Sequence, residues 1–132
     1  MNARTLKDLR GFIVEDESMV SMLIELADMG CAVVGVASDV EEAVMKFAEV
    51  SFDAAILDLN LNGSRSLILA EKLAEMRVPF VLSTGYGPSG VTAASLRAPL
   101  IGKPFRESDL RKALIAALDN ASIGSGISAR AR

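Results

Sequence analysis

The chain has 132 residues, 51% of them hydrophobic, and a formal net charge of −3, which suits one domain with one core and lends no support to a nucleic-acid or membrane surface. It has no histidine and a single cysteine, which excludes Ser/His/Asp triads, an internal disulfide and zinc of the usual Cys/His kind. No segment approaches the ~18 apolar residues of a membrane span, and the N-terminus MNARTLKDLRG lacks the apolar run of a signal peptide. A cytoplasmic location is therefore expected, with Cys31 a small buried residue.

In chain order, short apolar runs alternate with longer stretches of mixed polarity. The first run, residues 11–14, is predicted as a strand and ends in Glu15-Asp16-Glu17. SMVSMLIELADMG follows, with Met19, Leu23, Leu26 and Ala27 at helical spacing and Gly30 as its stop. The run CAVVGVA, residues 31–37, is the second strand. A helix then opens at Ser38 or Asp39 and carries Val40, Val44, Phe47 and Ala48 on one face. Residues 54–57 read as a third strand buried on both faces, stopped abruptly by Asp58. SLILAEKLAEM is a third helix, closed by Pro79.

Residues 80–82 form the fourth strand, ending in Ser83-Thr84-Gly85. The connection after it, GPSGVTAASLRAP, holds two glycines, two prolines, two serines and a threonine, so its helix is expected to be short, weak and mobile. Residues 100–101 form the fifth strand and lead into Gly102-Lys103-Pro104-Phe105. The last helix, ESDLRKALIAALDN, has Leu110, Leu114 and Ala117 or Leu118 on one stripe. The tail, residues 121–132, is small and polar and is expected to be disordered. The domain is thus residues 8–120.

Strands alternating with helices make βαβ units and a parallel α/β sheet. Right-handed crossovers allow few arrangements, the flavodoxin-like (βα)5 order 2-1-3-4-5 among them. In that order strands one, three, four and five are neighbours, and their carboxyl ends bring the acids, Asp58, Thr84 and Lys103 to one rim. Singly, each has an ordinary explanation: acids at a helix start, a loop-capping Asp, a turn Thr, a snorkelling Lys. Their shared rim is what those explanations leave out. Clustered carboxylates repel unless a cation neutralises them. Oxygen ligands without histidine suit Mg²⁺. A carboxylate can attack phosphorus, with Mg²⁺, Lys103 and the Thr84 hydroxyl each covering an oxygen of the moving phosphoryl group.

VEDE, LDLN, STG and GKPF, in this order, resemble the receiver domain of two-component response regulators over about residues 8–120. The resemblance implies that Asp58 accepts a phosphoryl group from a histidine kinase or a phosphotransfer protein. It implies that Asp16, Asp58 and the Asn60 backbone carbonyl bind Mg²⁺ directly and that Glu15 does so through water. Thr84 would move toward the phosphoryl group, Lys103 would pair with it, and the Lys103–Pro104 peptide would be cis. Leu100 stands where many receivers carry a switch aromatic, so the usual coupling of Thr to an aromatic cannot operate unchanged. VPFVLSTGYGPSG resembles a receiver subset with Pro-Phe-x-x-Ala-Thr-Gly-Tyr, here with Ser83 in place of Ala. That subset lacks the switch aromatic and tends to partner with HWE-type or HisKA2-type kinases. Tyr86 falls where side chains modulate phosphoryl access and lifetime, or else packs on the fourth helix.

The expected function is a single-domain receiver, not an enzyme beyond its own phosphoryl transfer and loss. It would signal by protein binding or serve a phosphorelay, as a monomer or weak dimer. Met1 favours a whole protein over a piece of a hybrid kinase. A receiver-fold docking module independent of phosphorylation is the alternative. A phosphatase of the haloacid dehalogenase type fits less well, because it needs Asp-x-Asp where DLNL has Asn60.

Overall fold

The computed structural model of the chain describes residues 6–17, 19–59, 66–84 and 98–130, of which 121–130 are described as helical backbone. The strands are β1 (Arg10–Val14), β2 (Ala32–Ala37), β3 (Ala54–Asp58), β4 (Phe80–Thr84) and β5 (Leu100–Gly102). The described helices are α1 (Met19–Asp28), α2 (Val40–Glu49), α3 (Ser66–Glu75) and α4 (Glu107–Arg130). The five strands form one sheet in the order β2-β1-β3-β4-β5, and every pair is parallel. This is the flavodoxin-like arrangement. Residues 87–97, where a helix is expected, lie outside the described residues, as do Asn60 and Tyr86, and residues 98–99 are non-helical.

Alternation along the strands supplies both cores, because successive side chains of a strand leave opposite faces. Phe12, Val14, Ala55, Leu57 and Leu82 pack with Val40 and Phe47 of α2 and Leu69 and Leu73 of α3. Ile13, Ile56, Val81 and Ile101 pack with Met22 and Leu26 of α1 and Leu110 and Leu114 of α4. Phe12, Phe47 and Phe52 meet with ring centroids 5.0–5.4 Å apart, one pair edge to face, an arrangement that adds to their area burial.

The helix ends follow from capping chemistry. Asp39 is the N-cap of α2, its side chain accepting from the Glu42 N–H. Glu42 in turn accepts from the Ser38 N–H at 2.9 Å. After α1, Gly30 takes φ +85° while the Gly30 and Cys31 N–H groups donate back to Ala27 and Leu26, a Schellman closure.

The last helix is longer than the sequence reading has it. That reading ends it near Asn120 with a disordered tail, whereas α4 runs to Arg130. Up to Asn120 its core stripe is Leu110, Ala113, Leu114 and Ala117. Residues 121–130 contain no proline, and extending an existing helix adds one hydrogen bond per residue fixed.

Candidate functional site

Four strand ends converge on one rim. β1 runs directly into Glu15, which is fully buried, and Asp16, which is exposed. The Glu15 N–H donates to Ala37 O at 3.0 Å, so pairing with β2 continues one residue past the strand and carries the Glu15 side chain inward. β3 ends on Asp58 itself, 1% exposed. β4 ends on Ser83 and Thr84, both buried. Lys103 follows β5, its N–H donating to Thr84 O at 2.7 Å, and the Lys103–Pro104 peptide is cis.

Lys103 joins the carboxylates. Its Nζ donates to Glu15 Oε2 at 2.8 Å and to Asp58 Oδ2 at 3.3 Å, with its side chain only 16% exposed. Glu15 Oε2 also accepts from the Glu17 N–H at 3.2 Å. Burial alone pulls the Lys103 ammonium down, but the hydrogen bond to Glu15 and the charges of Asp58 and Glu15 outweigh it and hold the pKa above its ordinary value. One carboxylate oxygen each from Glu15, Asp16 and Asp58 lies within 4.8 Å of the others. Three carboxylates against one ammonium leave two negative charges in excess, which matches a divalent cation. An all-oxygen donor set with one solvent-facing member, Asp16, suits Mg²⁺, which keeps part of its water shell.

The structure therefore brings together Glu15, Asp16, Asp58 and Lys103, and places Thr84 beside them as the register partner of Gly102. Leu100, partly buried, packs on the α2/α3 side of the sheet. The direct Glu15–Lys103 pair escaped the sequence reading, which routed Glu15 through water to a metal. Residues 88 positions apart carry no local signal for which rim acid takes the lysine. Past the site, the Leu59 N–H donates to Ser83 O at 2.8 Å and Ser66 Oγ to Leu59 O at 3.1 Å, fixing the backbone as it leaves Asp58.

The family model described as "Response regulator receiver domain" matches residues 12–115. The chain belongs to that family. Among solved structures, this receiver domain is similar to SdrG from Sphingomonas melonis Fr1, with 37% identity, TM-score 0.70, and 89% of this chain and 98% of that one covered. It shares its fold with the signal receiver domain of a modulated diguanylate cyclase from Desulfovibrio desulfuricans G20, at 24% identity and TM-score 0.77 over 88% of this chain and 98% of that one. A response regulator receiver protein from Burkholderia phymatum gives 24% identity and TM-score 0.69, over 84% and 95% of the two chains. No curated protein matches. Receiver domains bind Mg²⁺ through acidic residues and generally signal through a kinase or phosphotransfer partner rather than act as enzymes. No described helix is long and apolar enough to cross a membrane.

Proposed function

We propose that this receiver domain accepts a phosphoryl group on Asp58 from a histidine kinase or a phosphotransfer protein. The observation that carries the reading is Lys103 Nζ held between Glu15 and Asp58 at the edge of a three-carboxylate cluster. A buried carboxylate so placed is oriented by a cation and cannot drift.

Asp16, Asp58 and the Asn60 backbone carbonyl would hold Mg²⁺ directly, with Glu15 acting through water. When bound, the ion neutralises charge on the phosphoryl oxygens as the group is transferred. Asp58 Oδ attacks phosphorus in line, the P–N bond of the donor phosphohistidine breaks, and the imidazole nitrogen leaves with the electron pair and takes a proton. Lys103, already 3.3 Å from Asp58 Oδ2, pairs with a phosphoryl oxygen, and Thr84 donates its hydroxyl to another. Water later attacks phosphorus, breaking the P–O bond to Asp58 and restoring the carboxylate. Tyr86 modulates that step.

Leu100 replaces the switch aromatic, so the population shift on phosphorylation runs through Thr84 and the segment after β4. That feature, with VPFVLSTGYG, supports the Pro-Phe-x-x-Ala-Thr-Gly-Tyr subset and an HWE-type or HisKA2-type kinase. The output is protein binding or phosphorelay in the cytoplasm, with no nucleic-acid contact.

The test is intact mass after incubation with acetyl phosphate and Mg²⁺. One phosphoryl adduct is expected, absent in Asp58→Ala and without metal. A folded protein that gains no adduct and binds no Mg²⁺ favours a docking module that works without phosphorylation.

A further inference from the structure

Ser83 is fully buried, and its Oγ has no hydrogen-bond partner among the described residues. A buried hydroxyl without a partner is costly, so a site that keeps one invites the question of what completes it.

Its neighbours are fixed by register. Ser83 pairs with Asp58 on one side and Ile101 on the other. Register partners in parallel strands project from the same face of the sheet, with strands about 4.8 Å apart. Two residues earlier, Ile56 and Val81 are likewise partners and share one apolar cluster with Ile101. Asp58 and Ser83 therefore stand side by side on the α1/α4 face. To reach Asp58 on β3 from the end of β5, the Lys103 side chain must cross β4, and on this face Ser83 is the β4 residue beneath it. A short side chain there leaves the lysine room to pass. An alanine would serve that purpose, and the hydroxyl goes beyond it.

We propose that Ser83 Oγ is an additional donor of the phosphoryl site, bonding an oxygen of the group on Asp58 and so finding its partner only when that group is present. The proposal rests on Asp58 being the phosphoacceptor. No bond to Ser83 forms or breaks. Its O–H rotates toward the new oxygen, and the interaction stabilises the loaded state selectively, because the resting state lacks it.

The test compares wild type, Ser83→Ala and Ser83→Thr for affinity toward the beryllium trifluoride anion in saturating Mg²⁺, a tetrahedral stand-in for the phosphoryl group on a carboxylate. Steady-state phosphorylation by acetyl phosphate is read in parallel. Ser83→Ala is expected to bind the anion about tenfold more weakly, as suits one lost hydrogen bond to a charged acceptor. Its Tm without ligand should not fall and its Mg²⁺ affinity should be unchanged, while Ser83→Thr recovers most of the anion affinity. Equal affinity in wild type and Ser83→Ala would overturn the proposal and leave Ser83 a small residue beneath Lys103. So would a loss that tracks equal losses in Tm or Mg²⁺ binding, since that is a packing effect. A wild-type protein that takes neither probe sinks the Asp58 reading and this inference with it. That failure is told apart because it shows before any Ser83 variant is made.

Discussion

Lys103 Nζ stands 2.8 Å from Glu15 Oε2, closer than its 3.3 Å to Asp58 Oδ2, so the buried Glu15 is the lysine's resting partner. Removing the ammonium leaves two buried carboxylates facing each other. Lys103→Met is expected to cost roughly 2–3 kcal/mol at neutral pH, somewhat less than for a fully buried pair. Asp58→Asn removes a charge and keeps the Glu15–Lys103 pair, so it should stabilise the metal-free protein by about 1 kcal/mol. Urea unfolding checks both. Destabilisation by both variants would show that the cluster is held by attraction alone.

Asp16 is the exposed member of the carboxylate cluster, and removing it should cost metal binding without costing the fold. Mg²⁺ at ten times its Kd should raise stability by about 1.4 kcal/mol, read as a Tm rise that chelation reverses. In Asp16→Asn the metal-free Tm should stay near that of wild type while the Mg²⁺-dependent rise shrinks severely. An undiminished rise would place the ion elsewhere.

Gly35 bears on the fold rather than the site. The β1–β2 register slips between Gly11 and Phe12, which pair with Val33 and Gly35, leaving Val34 as the extra residue of a bulge. A Cβ on Gly35 would meet the Phe12 ring at 2.5 Å, and that ring is wedged against Phe47 and Phe52 at 5.0 Å. Gly35→Ala should therefore cost about 1–3 kcal/mol, the usual toll of overpacking, seen as a lower urea midpoint with an unchanged slope.

The strands were legible because each is a short apolar run bounded by turn residues, with right-handed crossovers leaving few orders for them, and Asp58 stood out as a charge closing such a run. Long-range choices were not legible. Glu15, Asp16 and Glu17 look alike as a string, yet backbone pairing with Ala37 carries only Glu15 into the interior beside Lys103. Ser83 reads locally as part of a turn triplet, and only its register against Asp58 gives it another meaning. The extent of α4 was not legible for a different reason: residues 121–130 are small and polar and carry no apolar stripe, and hydrophobic pattern is blind to a helix that continues without one.

The end of α3 shows the same divide between chemistry and letter. Arg77 and Val78 donate to Ala74 and Leu73, the same closure that Gly30 and Cys31 make after α1, but Arg77 has φ +61° where Gly30 has +85°. A side chain in the left-handed region is strained. Arg77→Gly should gain roughly 0.5–1 kcal/mol in spite of the freer unfolded chain. Gly30→Ala should lose about 1 kcal/mol or more, because its Cβ would also press on Lys7 Cα at 3.3 Å. Thermal melts of the two variants should shift in opposite directions.

Glu25, on α1, sets an acid-side pH dependence away from the candidate site. Its Oε1 is buried with no hydrogen bond among the described residues. Burial, then the nearby charges of Glu107 and Asp28, pushes its carboxyl pKa above the ordinary 4.5. A raised carboxyl pKa means the folded state holds its proton more tightly than the unfolded chain does. The ionised form therefore costs stability at neutral pH, and that cost vanishes as pH falls through the folded pKa to below 4.5. Glu25→Gln should then be more stable than wild type at pH 7 by about 0.5 kcal/mol, a small gain because the group keeps some solvent screening. The two stability curves should converge on acidification and coincide by about pH 4. A gain that persists unchanged at that pH would trace to packing of the amide rather than to the buried charge.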